Sequence, residues 1–319
     1  MIEAVAAVQA HDLGYKDLIA EFKEDCLIRG MSPESLRRYI SNIRIFAEYL
    51  EANGKDLLKV DKHILKGFIA HLRRDREVSQ KSVENYFTSI SSFYDYLQYE
   101  EYVEGNPVGP VRKRYVRSYK DNDDSHMRKL ISVDDMARLI NSTLDVRDKA
   151  IITLLAKTGI RRNELITLDV EDVDFVEQKI RLKPTAKRSN RTVFFDGEAA
   201  ILLQRWIKAR QTRNKQNVKA LFLNSRGSRI GKNEVYESVT RPAKVIGLYN
   251  VNSDKMEDHF HPHCCRHWFT TELRKAGMPR EFIQELRGDA RKDAIDIYDH
   301  IDSNELRESY MACIPQLGI

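Results

Sequence analysis

The chain reads as a mainly α protein, with a small helical bundle followed by a larger, mostly helical domain that carries one small three-stranded antiparallel sheet. Three observations predict this. Apolar residues recur at helical spacing through nearly all of residues 16–105. Asn106-Pro107-Val108-Gly109-Pro110 then breaks the pattern, and residues to about 130 are polar, charged and aperiodic. Farther on, Val173-Asp174-Phe175, Lys179-Ile180-Arg181-Leu182 and Thr192-Val193-Phe194-Phe195 are short strand-like runs set between helical segments. A length of 319 residues suits two domains of roughly 100 and 200 residues. The expected division is an N-terminal extension 1–15, a helical bundle 16–105, a basic linker 106–130 and a second domain 131–319 with a tail from about 303.

Each element has a local reason. Lys16 to Arg29 forms a first helix. Ser32, Pro33 and Glu34 supply an N-cap, a first-turn proline and a dipole-matched acid for a second, which carries Leu36, Tyr39, Ile40, Ile43, Phe46, Ala47 and Leu50 at helical spacing and stops at Gly54. Asp61 to Leu72 makes a third. The fourth starts at Ser79 and places Val83, Tyr86, Phe87, Ile90, Phe93, Tyr94 and Leu97 on one side, a stripe that reads as core rather than as a base-stacking platform. Its polar side holds Lys81, Asn85, Ser89 and Ser92 and suits a DNA groove. In the second domain, Ser132 caps a helix with Asp134 and Asp135 in its first turn, and Arg147 to Lys157 is an apolar helix stopped by Gly159. Arg162 to Leu168 follows. After the three strands, helices are expected at about 197–213, 232–246, 263–276, 279–286 and 291–298.

Composition sets bounds on function. A net charge of +5 is mildly basic, but its distribution is more informative: basic residues gather at Arg73-Arg74-Asp75-Arg76, at Arg112, Lys113, Arg114 and Arg117, and from Lys183 to Arg191. Runs beside separate helices fit phosphate tracking better than a uniformly solvated surface does. No apolar run approaches the roughly 18 residues of a membrane span. The N-terminus lacks the basic region of a secretory signal, so a cytoplasmic protein is expected. Four cysteines without disulfide spacing agree with a reducing compartment. His259, His261, His263, Cys264, Cys265 and His267 are of zinc-ligand type, yet their spacing matches no finger, and no metal is expected.

Chemistry concentrates in three segments. These are Thr158-Gly159-Ile160-Arg161-Arg162-Asn163-Glu164-Leu165, the box His263-Cys264-Cys265-Arg266-His267, and Tyr298-Asp299-His300. Two arginines can hold the nonbridging oxygens of a phosphodiester, a histidine can move protons, and a tyrosine hydroxyl can become a covalent phosphotyrosine. In this order, with Gln284-Glu285-Leu286-Arg287-Gly288 between the last two, they resemble the tyrosine recombinases of the phage integrase family, and the N-terminal bundle resembles that family's SAM-like core-binding domain.

The resemblance implies that Arg161 and Arg266 clamp the scissile phosphate and stabilise its transition state. It implies further that Lys187, on the turn between the second and third strands, protonates the departing 5′ oxygen, with Lys183 and Arg188 as nearby competitors. His263 would assist proton transfer, and Tyr298 would be the nucleophile in preference to Tyr310, which no Gly-Asp element precedes at the right distance. At Asp289 the family usually has histidine or tryptophan. A carboxylate cannot donate to a phosphate, so Asp289 either stays protonated, or turns away to pair with Arg291, Lys292 or His263, or the donor role is lost. The aspartate resembles what some archaeal and archaeal-virus members of that family carry.

The reaction so implied is site-specific cutting and rejoining of double-stranded DNA through a 3′-phosphotyrosyl link. Bond energy is conserved in that link, so neither ATP nor any other cofactor is expected, and no Gly-x-x-x-x-Gly-Lys loop is present. The expected partners are DNA with specific recombination sites and further copies of the chain, as dimer and tetramer, with the tail from Ser303 docking on a neighbour or else on its own domain. A type IB topoisomerase and a catalytically impaired DNA-binding protein are the alternatives.

Overall fold

The computed structural model describes residues 14–116, 129–184, 191–253, 255–289 and 301–319. The chain divides into two compact units, the first ending at Asn122 and the second beginning at Asp123. Among the described residues, no helix is long and apolar enough to cross a membrane.

In the first unit, helices α1 (Tyr15–Ile28), α2 (Pro33–Ala52), α3 (Lys62–Arg74) and α4 (Gln80–Tyr99) enclose one apolar core. The caps do what their residue types demand: the hydroxyls of Ser32 and Ser79 accept from the amides of Ser35 and Ser82, and the Asp61 carboxylate accepts from His63 and Ile64. Phe87, Phe93 and Tyr94 are fully buried, so the aromatic stripe is core. Ser89 is buried too, donating to the Asn85 carbonyl and accepting from Asn42 Nδ2, and so does not belong to the polar face expected of α4.

Residues 108–116 depart from the expected structureless linker. Val108–Val111 forms a helical turn, α5, and Arg112–Val116 a π turn. Pro107 and Gly109 permit such a turn at a helix start. What selects it is tertiary: Val108, Val111 and Val116 are buried in the bundle core. Arg73 and Gln80 bind the carbonyls of Tyr115 and Val116, and the Arg112 guanidinium donates to the Thr88 hydroxyl.

The second unit is built around α7 (Val146–Thr158), which follows α6 (Val133–Ser142) and is buried along most of its length. The unit continues through α8 (Arg162–Thr167), β1 (Val173–Asp174), β2 (Lys179–Arg181), β3 (Thr192–Phe194), α9 (Gly197–Arg213), α10 (Lys232–Val245), α11 (Pro262–Lys275), α12 (Arg280–Arg287) and α13 (Ser303–Cys313). The sheet is an antiparallel meander in the order β1-β2-β3, with Ile180 paired to Val173 on one side and Val193 on the other. Each strand is one residue shorter than expected, and Phe175 and Phe195, just past β1 and β3, meet edge-on with ring centroids 5.9 Å apart. The helix expected at 291–298 lies outside the described residues.

The tail, for which docking on a neighbour is the first expectation, packs on its own domain. Leu306, Tyr310 and Ile314 share a small core with Phe194, Phe269, Leu273, Ile283 and Leu286. Beneath it the ammonium of Lys157, with no exposed side-chain surface, meets Asp196 at 2.5 Å, Glu198 at 2.5 Å and the Pro315 carbonyl at 2.6 Å. The amides of Leu317, Gly318 and Ile319 donate to Glu198. An apolar face and a buried cation both need a partner, and the tail supplies one to each.

Candidate active site

The site is assembled where α7 ends. Gly159 stops that helix in the left-handed conformation, at φ +60°, and a Cβ there would lie 2.3 Å from the Phe269 ring. Only glycine satisfies both demands. The turn carries Arg161 to the N-cap of α8, and leaves the Gly159 carbonyl to accept from Nη1 of Arg266 at 2.7 Å. Arg266 sits in the second turn of α11 and is itself buried.

The two arginines meet on shared acceptors. Arg161 Nη1 and Arg266 Nη2 each donate to the Arg287 carbonyl at 2.8 Å, and Arg161 Nη2 and Arg266 Nη2 each donate to Asp289 Oδ1 at 3.2 Å. Arg287 Nε lies 2.9 Å from the other oxygen of Asp289. Of the partners expected for Asp289, His263 is not among its described contacts, and Arg291 and Lys292 lie outside the described residues. The carboxylate faces three cations, Arg161, Arg266 and Arg287, whose combined attraction holds it there. Burial, reinforced by the neighbouring Arg287, pulls the Arg266 guanidinium down to about 10, against the opposing pull of Asp289 and Glu164. A cation held this dry gains from any anion placed against it.

Arg161, Arg266 and His263 line one cavity of about 540 Å3, together with Tyr236, His259 and His261. His263 is exposed on its rim, edge-on to His267 at 4.9 Å between ring centroids. Cys264 and Cys265 are buried away from it, and among the described residues no group of three or more His, Cys, Asp or Glu is placed to hold a metal ion. Lys183 is engaged by Asp169 and Asp172, and the hydrogen bond to Asp169 raises its pKa. Tyr310 is fully buried, donates to the Lys157 carbonyl, and is pushed well above the ordinary phenol range by burial. Neither has the freedom that an acid or nucleophile for an external phosphate requires.

Lys187, Tyr298 and Arg117 lie outside the described residues. Lys81, Asn85, Arg112, Lys113 and Arg114 belong to the first unit. Lys81 is exposed and paired with Glu84 at 2.8 Å, Asn85 is half-buried, and Arg112 to Arg114 are exposed on the π turn. Two site residues escaped the sequence reading. Arg191 and Glu164 form a buried bidentate pair, both contacts at 2.9 Å, and Glu164 also accepts from the Arg161 amide at 2.7 Å. The signal for Glu164 was its capping-box position three residues after Arg161. Arg191 carried none, being one cation in a basic run.

Residues 125–305 match the phage integrase family, and residues 18–104 match its N-terminal SAM-like domain. The chain belongs to the phage integrase family. It is a tyrosine-type site-specific recombinase, an enzyme that cuts and rejoins DNA through a phosphotyrosyl intermediate. Among its relatives, tyrosine recombinase XerC of Oceanobacillus iheyensis is 29% identical over 311 residues, covering 95% of this chain and 96% of the relative. XerC of Thermodesulfovibrio yellowstonii is 30% identical over 294 residues, covering 89% and 91%. In fold the chain is similar to XerH site-specific recombinase bound to palindromic difH substrate, with a TM-score of 0.67 at 20% identity, covering 91% of this chain and 83% of that one.

Proposed function

We propose that Arg161 and Arg266 form the seat of the scissile phosphate and that Tyr298 attacks it. The observation that carries this reading is the convergence of two guanidinium groups, from elements far apart in sequence, on one carboxylate oxygen and one carbonyl. In the DNA-free protein Asp289 supplies the anion, and the phosphate displaces it. Oη of Tyr298 bonds to phosphorus as the bond to the 5′ oxygen breaks. His263 takes up the phenol proton, and Lys187 delivers one to the leaving oxygen, giving a 3′ phosphotyrosine and a free 5′ hydroxyl. The guanidinium pair stabilises the charge that develops on the nonbridging oxygens.

Double-stranded DNA carrying specific recombination sites is the substrate, and the protein acts in the cytoplasm on the chromosome or on an invading element. Lys81, Asn85, Arg112, Lys113, Arg114 and Arg117 contact the duplex through the first unit. A dimer on each site, as in the lambda integrase dimer bound to a COC′ core site, and a tetramer on two sites complete the reaction. The test is strand transfer between two labelled DNA duplexes carrying a candidate site. Products joining the two duplexes support recombination, whereas relaxation of supercoiled DNA by a monomer, without joined products, rejects it.

A further inference from the structure

We propose that Arg191 is a positioning residue for catalysis, holding Arg161 in register with Arg266 while keeping Glu164 from neutralising it. The inference rests on the phosphate seat proposed above and adds a residue outside that seat. Arg191 has 5% of its side chain exposed and Glu164 6%. Its guanidinium grips both oxygens of Glu164 at 2.9 Å, and its Nε donates to the Leu286 carbonyl at 3.0 Å. It also lies flat against the end of α12, where a Cβ on Gly288 would come within 2.6 Å of Nη1. One side chain therefore fastens both walls of the seat. One wall is the turn at Arg161, whose amide Glu164 accepts, and the other is the backbone at Arg287, whose carbonyl both arginines share.

The electrostatics add a second role. Glu164 Oε1 already lies 3.3 Å from Arg161 Nη1. A buried carboxylate without Arg191 would take that guanidinium as its fork partner and withdraw it from the phosphate. With Arg191 in place both oxygens of the carboxylate are held at 2.9 Å, and Arg161 keeps only the longer 3.3 Å contact to it. Arg191 also lies immediately before β3, and its carbonyl accepts from the Leu182 amide at 2.9 Å.

The test compares cleavage of an ordinary site with cleavage of a site whose scissile linkage is a neutral methylphosphonate, whose transition state carries one negative charge fewer and so depends less on a second guanidinium. For Arg191→Met, cleavage of the phosphate is expected to fall ~100-fold or more, the scale on which a lost transition-state donor acts. Site affinity stays within about threefold of the parent, because Arg191 lies outside the phosphate seat and the cations that would hold the DNA are unchanged. On the methylphosphonate the variant cleaves at the parent rate. Should Arg191→Met fail to fold, Arg191→Met with Glu164→Gln removes the buried carboxylate charge, and the same pattern is expected. Equal losses on both linkages, or a parent rate on the phosphate, overturn the proposal. Arg161→Ala is the internal reference: if it too spares the phosphate reaction, the seat itself is wrong, whereas an impaired Arg161→Ala beside an unimpaired Arg191→Met removes only the role given to Arg191.

Discussion

Asp289 is where chemistry and family pattern part. A carboxylate cannot donate to a phosphate oxygen, yet here it binds both arginines that would hold one. As an internal competitor it lowers the affinity of the seat for DNA. Asp289→Asn is expected to tighten binding of an uncleaved site by roughly 2- to 5-fold, the range that a partly exposed ion pair worth up to about 1 kcal/mol allows. Fluorescence anisotropy with a labelled duplex measures it, and weaker binding would show that Asp289 helps to hold the phosphate. The partner of Asp289 was beyond sequence reasoning for a physical reason. Every cation near it in the sequence was plausible, and only the fold brings Arg161 and Arg266 to within 3.2 Å. Arg161 and Arg266 were legible because fixed residue types recur at fixed spacing around them. Arg191 was not, because its value lies in a buried contact to Glu164 that no local pattern encodes.

At the scale of elements, caps and periodicity were sufficient for helices whose ends are set locally. Ser32, Ser79 and Ser132 each cap as their types require. Local rules failed at Val108–Val116, where proline and glycine suggested a break but three buried valines organise a turn. The tail is the element most open to titration. Burial pushes the Glu198 carboxyl up, but Lys157 and the amides of Leu317 and Gly318 outweigh it and hold its pKa below the ordinary 4.5. A depressed carboxyl contributes stability that is present above its unfolded pKa and lost as pH falls through the folded one. Docking of residues 314–319 is therefore expected to hold at neutral pH and weaken below 4.5. Hydrogen exchange at the Leu317 and Gly318 amides reads this directly, and Glu198→Gln should abolish the acid dependence. Protection that stays constant through this range in the parent protein would contradict the account.

For the whole molecule, the mild net charge of +5 conceals a local basic surface. Arg112, Lys113 and Arg114 are exposed around Tyr115, whose ring also meets Lys66 and Arg114. If these cations bind DNA phosphates, each change to alanine reduces the slope of log affinity against log salt by about 0.9. The triple variant should lose roughly 2 to 3 in slope. A slope equal to that of the parent would move the DNA contact elsewhere.

The central claim is that Tyr298 attacks a phosphate held by Arg161 and Arg266. Its most direct measurement is the covalent adduct formed on a nicked site that traps the cleaved strand, resolved on a denaturing gel and mapped by mass spectrometry. The expected result is an adduct at Tyr298 in the parent, none with Tyr298→Phe, and a severe loss with Arg161→Ala or Arg266→Ala. An adduct that persists in Tyr298→Phe, or that maps to another tyrosine, contradicts it.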